Sequence, residues 1–482
     1  MRSSQPPLSR FKRQLAWGAC LATLVSPCSR AADDAAITRI EAGLRPAVAL
    51  ANAPLRTERL QDAMARLKVP GVSVAVIHDG KLAWTRGYGV AWAGGPAVTP
   101  ETLFQAASVS KPVAAMAVLR MVEQGRLELD APIERALTGW KLPEGAGKPS
   151  VRQLLSHTGG TSVSGFPGYA AGTPVPTLVQ LLDGKAPANT GPVRVEAAPG
   201  SAWNYSGGGY SVLQQAMTDR YGQPFEVLAR DLVLGPLGMT DSSFSQPLPA
   251  ALAAKAARPH DRNGKPFPGG PFVYPELAAA GLWTTPRDLA KFAIALQQGA
   301  TGRDNGVLSP AMARTMLTPV VDDYALGLQI NQGKTFGHGG SNKGFKAQLV
   351  VFFEGGNGAV VLTNSDNGWE LAAGLMRAIA HEYKWTAIQT VLRPAVALAP
   401  QVRRGLAGQY KIDGMGGFQI AERDGQLMLA LSPGQWETLY AESDKLLFIL
   451  SRKLEIHPRD ADSGHTVEGP SSHPYTRVSA LD

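Results

Sequence analysis

Apolar residues dominate Gly71-Val-Ser-Val-Ala-Val-Ile-His78, and a second β-rich run, Lys81 to Tyr88, follows directly after Asp79-Gly80. An Asp-Gly pair between two such runs predicts a hairpin, because the turn needs residues that tolerate positive φ. A helix is expected just before it, from Thr57 to Leu67. From Ser108 the period changes: Pro112, Val113, Ala114, Ala115, Met116, Ala117, Val118, Leu119, Met121 and Val122 run on to Gly125. A helix apolar almost all round is a buried one. Gly and Pro then punctuate the chain from Gly139 to Arg287, with short helical pieces at Val151 to Ser156 and Ser211 to Arg220, predicting a helical region with long loops. Strand patterns return at Ala347 to Phe353 and Ala359 to Asn364, around the turn Glu354-Gly-Gly-Asn-Gly358, and Glu370 to Tyr383 reads as a helix. Strands at both ends with helices between predict one sheet built from both ends of the domain.

Further on the pattern changes twice. Residues 391–404 turn to Pro, Ala and Val and are expected to form a linker. From residue 405 to 482, short alternating segments such as Phe418-Gln-Ile, Leu427 to Ala430 and Leu446 to Leu450 predict a small antiparallel β domain, with a loose polar tail after Pro458. At the other end, Arg2, Arg10, Lys12 and Arg13 precede an apolar run from Leu15 to Val25 and a small-residue stretch at Ala31-Ala32. Residues 1–32 therefore read as a secretory signal peptide, and the run is too short for a spanning helix. A soluble periplasmic or secreted product is expected; Val25-Ser-Pro-Cys28 is a poor lipoprotein signal because of Pro27. The large remainder, residues 33–390, would be the first domain.

Charge and cysteine content change this picture little. Cys20 and Cys28 both fall in the leader, so the mature chain has no disulfide framework and no thiol nucleophile. Five basic residues leave with it, lowering the formal charge from +8 to +3, and no Lys/Arg block with interleaved aromatics remains to hold a nucleic acid. At 482 residues and 44% hydrophobic content, the chain is long and apolar enough for a large core.

The chemistry concentrates in Phe104-Gln-Ala-Ala-Ser108-Val-Ser-Lys111-Pro-Val. Residues three apart share a helix face, which sets the Lys111 amine beside the Ser108 hydroxyl. Serine needs a base at neutral pH, and an amine can serve if its pKa falls below the ordinary value of about 10.4 through burial. The Ser108 N–H at the helix start is also placed for an oxyanion. The competing explanation is a capping serine followed by an exposed lysine, but Lys111 interrupts an apolar helix, and burying an amine without purpose is costly. Ser110 has no lysine three residues on. Gly327 and Gly333-Lys-Thr335 only imitate a phosphate loop, no G-x-S-x-G elbow occurs, and no His/Cys spacing suits a metal. His157 reads as a turn residue and His78 as solvated.

Ala106-Ala-Ser-Val-Ser-Lys-Pro-Val-Ala-Ala115 resembles the active-site serine helix of class C β-lactamases and their relatives. Val151 to Gly160, Pro236 to Phe244 and Ala280 to Leu289 resemble the same family in the same order, over Leu60 to Tyr383. The resemblance implies an α/β, β-lactamase-like fold: an antiparallel sheet flanked by helices, plus a helical region, here with the small C-terminal antiparallel β domain. It places the family's second motif at Tyr205-Ser206-Gly207, with Tyr205 passing a proton to the leaving group; the family's asparagine is replaced by Gly207. It places the third motif at His338-Gly339-Gly340, His338 standing where β-lactamases have lysine. His338 would give a hydrogen-bond donor, or a charge if protonated; Gly339 and Gly340 would let substrate approach the strand edge; the Ser341 N–H would be a second oxyanion donor. The expectation is an exported serine hydrolase, without cofactor or metal, that forms an acyl-enzyme with a small ester or a D-amino-acid peptide or amide. A class C-like β-lactamase and a non-catalytic protein that holds cell-wall peptides are the alternatives. The sequence sets no oligomeric state.

Overall fold

The computed structural model describes residues 27–412, 416–432, 434–468 and 471–480. Most of the expected leader lies outside the described residues; the described chain opens with a helix, Pro27–Ala42, that runs through Ala32. Among the described residues no helix is long and apolar enough to cross a membrane.

The hairpin read from Asp79-Gly80 is present as strands Gly71–His78 and Lys81–Gly89. Gly71–His78 pairs on its other side with Gly358–Thr363, so the sheet joins the two ends of the domain. Phe345–Phe352, Thr335–Asn342 and Gln329–Asn331 complete six antiparallel strands. Because side chains alternate across a strand, Val72, Val74 and Val76 pack with the helix Gly368–Glu382, while Ala75 and Ile77 face the helical region and the core around the buried helix Ser110–Glu123. That helix buries eleven of its fourteen residues, as its apolar circumference requires.

The C-terminal unit is an eight-stranded closed antiparallel barrel. Its core includes Tyr410 stacked on Phe418 at 4.8 Å, with Tyr475 edge-on to both. Here the sequence reading of a loose tail is corrected. Ser463–Glu468 and Ser471–Ala480 are strands, and the latter pairs with Gly408–Ile412 to close the barrel. Most of their side chains face solvent, so their composition is polar, and only inward residues such as Tyr475 and Thr466 are buried. Closure removes two exposed edges at once. The expected linker holds a strand, Val391–Arg393, parallel to Val48–Leu50, and the start of the helix Pro400–Leu406. Arg393 forms ion pairs with Glu442 and Glu455 of the barrel, and Ala47, Val48 and Phe448 pack together across the join.

Tyr475→Ala is expected to destabilise the barrel by about 3 kcal/mol, since it empties an aromatic core position, while Val478→Ala, 66% exposed, changes stability by less than about 0.5 kcal/mol. Urea unfolding of both variants checks this; equal, small effects would mean the last strand does not close the barrel.

Candidate active site

A two-residue strand, Phe104–Gln105, leads into a short 3-10 turn, Ala107–Val109, and then into the helix from Ser110. Ala107 has φ +51°, a left-handed conformation that costs an alanine roughly 1–2 kcal/mol. The turn leaves Ser108 half-buried while Ala106, Ala107 and Val109 are enclosed. Lys111 is 2% exposed, and its Nζ lies 3.0 Å from Ser108 Oγ and 2.9 Å from the Ala279 carbonyl. The rings of Tyr205 and Tyr210 lie 4.8 and 5.7 Å from the amine. Among the described residues no carboxylate is within ion-pair distance of it. Ser110 is fully buried; its hydroxyl donates to the Ala107 carbonyl at 2.5 Å and accepts from the Leu282 N–H at 2.9 Å. It is a structural serine.

Tyr205 precedes Ser206, whose hydroxyl caps the helix Gly207–Tyr221 by accepting from the Gly209 N–H at 3.0 Å. Gly207 has a local reason: a Cβ there would lie 2.6 Å from the Phe166 ring. The space a side chain would take there is filled by Phe166. His157, read as a turn residue, is buried in the site. Its carbonyl accepts from the Asn204 N–H at 2.8 Å, its Nδ1 lies 3.1 Å from the Ser206 nitrogen, and its ring sits 4.3 Å from that of Tyr205. Its φ of +60° is a second strained position in the site. Its signal lay in the motif Leu154-Leu-Ser-His-Thr-Gly-Gly160, which the sequence showed but gave no role.

The strand Thr335–Asn342 runs against the nucleophile turn. A Cβ on Gly340 would stand 2.1 Å from the Ala106 carbonyl oxygen and 3.1 Å from the Ser108 nitrogen, and one on Gly339 would meet the Trp369 indole at 2.7 Å. These glycines thus admit the protein's own turn and its tryptophan. Ser341 follows, exposed. His338 is buried with both ring nitrogens engaged: Nδ1 lies 2.5 Å from the Gly339 carbonyl and Nε2 3.2 Å from the Tyr324 hydroxyl. Burial, and then the Lys111 ammonium, push its pKa down to about 3. It is neutral at physiological pH, which removes the charge considered for it. Tyr324 also meets His157 Nε2 at 3.1 Å. A lone loop tyrosine carries no sequence signal, and it went unnoticed. So did Trp203 and Trp369, each 40% exposed, one beside Tyr205 and Tyr324, the other over Gly339.

The sequence profile of the Beta-lactamase family matches residues 57–383. Penicillin-binding protein 4 of Amycolatopsis lactamdurans is 28% identical over 370 residues, 72% of this chain and 94% of its own length. Esterase EstB of Burkholderia gladioli is 34% identical over 220 residues, 43% of this chain and 54% of the esterase. Among solved structures, the octameric penicillin-binding protein homologue from Pyrococcus abyssi overlays with a TM-score of 0.59 at 23% identity, covering 86% of this chain and 98% of that one. That share exceeds what residues 1–390 could supply, so the likeness extends into the barrel. The D-amino acid amidase of Ochrobactrum anthropi overlays with a TM-score of 0.53 at 23% identity, over 68% of this chain and 97% of the amidase.

Two neutral buried histidines make a pH prediction. His338 has a folded pKa of about 3, below its unfolded value of about 6.5, and His157 is lowered in the same direction by burial and by Lys111. Between these values the unfolded state binds more protons. The stability they contribute is therefore complete above about pH 6.5 and lost as pH falls. His338 alone accounts for a loss of about 2 kcal/mol between pH 7.5 and pH 5. Urea unfolding at both pH values is expected to show a smaller loss, by about that amount, in His338→Asn; an unchanged difference would mean His338 is not held neutral.

Proposed function

The chain belongs to the Beta-lactamase family, a serine hydrolase family, and from that premise we propose that it hydrolyses small uncharged esters or D-amino-acid amides through an acyl-enzyme on Ser108. The observation that carries this reading is the 3.0 Å contact between Lys111 Nζ and Ser108 Oγ on a buried helix. In its neutral form Lys111 accepts the serine proton as Oγ attacks the substrate carbonyl. The N–H groups of Ser108 and Ser341 hold the oxyanion. Tyr205, beside the same amine, passes the proton to the leaving group, and water then releases the acyl group. No cofactor or metal enters these steps.

The surroundings of the leaving group support a substrate without a terminal carboxylate. A substrate with a free terminal carboxylate calls for a cation at the strand edge, and His338 offers neither a charge nor a spare ring nitrogen. Trp203 beside Tyr205 and Trp369 over Gly339 give that side of the cleft aromatic faces instead. Phe166 at Gly207 replaces a polar contact on the acyl side. The similarity to an esterase and, in fold, to a D-amino acid amidase fits this ranking, with D-Ala-D-Ala-type peptides and β-lactams below. Export after cleavage near Ala32 is part of the proposal and rests on the leader pattern alone.

Purified mature protein is expected to cleave p-nitrophenyl butyrate and D-phenylalanine amide at least about tenfold more efficiently than a peptide ending in D-Ala-D-Ala, and to leave a chromogenic cephalosporin intact. Ser108→Ala is expected to lose at least about a thousandfold in kcat and its labelling by a fluorophosphonate, and Lys111→Met about a hundredfold or more. A peptide with a free carboxylate as the best substrate would overturn the specificity, and equal activity of Ser108→Ala would overturn the enzyme reading.

A further inference from the structure

Tyr324 stands outside every motif that carries chemistry, yet its hydroxyl lies between two buried histidines from opposite sides of the cleft. The protons in this row follow by elimination, because each end is a backbone group of fixed polarity. The Ser206 N–H can only donate, so His157 Nδ1 is bare, and the neutral ring carries its proton on Nε2. The Gly339 carbonyl can only accept, so His338 carries its proton on Nδ1 and its Nε2 is bare. Tyr324 must then accept from His157 Nε2–H at 3.1 Å and donate its own proton to His338 Nε2 at 3.2 Å. Every donor points the same way, from Ser206 to Gly339, and neither ring has a nitrogen left over. Head-to-tail alignment strengthens each bond through its neighbours. A row without formal charge also suits its place beside the Lys111 amine, which a histidinium would repel.

The ends of the row coincide with two parts of the site that sit on different elements. Ser206 directly follows Tyr205 and caps the helix Gly207–Tyr221. Gly339 directly precedes Gly340 and Ser341 on the strand that meets the nucleophile turn. Tyr324 itself is fixed by its backbone: its N–H donates to the Val321 carbonyl at 2.8 Å and its carbonyl accepts from the Val320 N–H at 2.9 Å. We propose that Tyr324 is a positioning residue which, through His157 and His338, sets the distance between the Tyr205 phenol and the oxyanion-binding strand without touching substrate. The inference rests on the roles proposed above for Tyr205 and Ser341. A reacting group displaced by an ångström loses about a hundredfold in rate, and the row is the side-chain connection that spans this gap.

Tyr324→Phe keeps the ring and removes the one bridging hydroxyl. Rates of ester hydrolysis, normalised to Ser108 titrated with a fluorophosphonate, are expected to show kcat lowered about 10- to 100-fold with KM within about twofold of wild type. Normalisation per active site separates this from simple loss of folded protein. Long-range nitrogen–proton NMR of histidine-labelled wild type at pH 7 is expected to show opposite neutral tautomers, the proton on Nε2 of His157 and on Nδ1 of His338; this readout stands even where the variant folds poorly. A charged histidine, two identical tautomers, or a per-site kcat within twofold of wild type would overturn the proposal. A wild type that hydrolyses no ester or amide would instead overturn the reading of the site on which it rests.

Discussion

A buried amine without a carboxylate beside it is the constraint from which the rest of the site follows. Lys111 is held by one carbonyl, one hydroxyl and the faces of two tyrosines. Each of these is a weak substitute for water around an ammonium group. Its neighbours must therefore bring no further positive charge, and the two nearest histidines are both driven toward the neutral form. The two histidines therefore add no charge beside Lys111, whose amine touches the Ser108 hydroxyl.

That environment is assembled under backbone strain. Ala107 and His157 both occupy the left-handed region without being glycine, and such conformations persist only where surrounding contacts over-determine them. At Ala107 the contacts come from the Ser110 hydroxyl, which ties the turn to the Leu282 N–H, and from Gly340, which lets the strand press on Ala106 and Ser108. At His157 they come from Asn204, Ser206 and Tyr324. The sheet and the helical region are thus locked to each other around Ser108.

Much of this was legible in the sequence because it is written in local patterns. The hairpin at Asp79-Gly80, the apolar helix after Ser108 and the serine–lysine pair all depend on spacing within one element. The tail after Pro458 was not legible, because a barrel strand with one face in solvent has the composition of a loop, and its pairing partner, Gly408–Ile412, lies some sixty residues away. Tyr324 and the two tryptophans were invisible for a related reason. They act through neighbours distant in the chain, and nothing around them repeats. His338 was visible as a residue but not as a state; its neutrality is set by enclosure and by Lys111, neither of which spacing reveals.

Exchange of the family's lysine for His338 is more than a lost charge. A lysine has three donors on a flexible stem and can turn to a substrate carboxylate. A neutral imidazole has one donor and one acceptor, fixed in a plane, and here each has a protein partner. At this position His338 is an internal connector between the Tyr324 hydroxyl and the Gly339 carbonyl. Trp203 and Trp369, each 40% exposed, offer aromatic faces near Tyr324 and Gly339 that suit apolar contact. The exchange leaves the Ser108–Lys111 contact and the strand against the Ser108 turn in place.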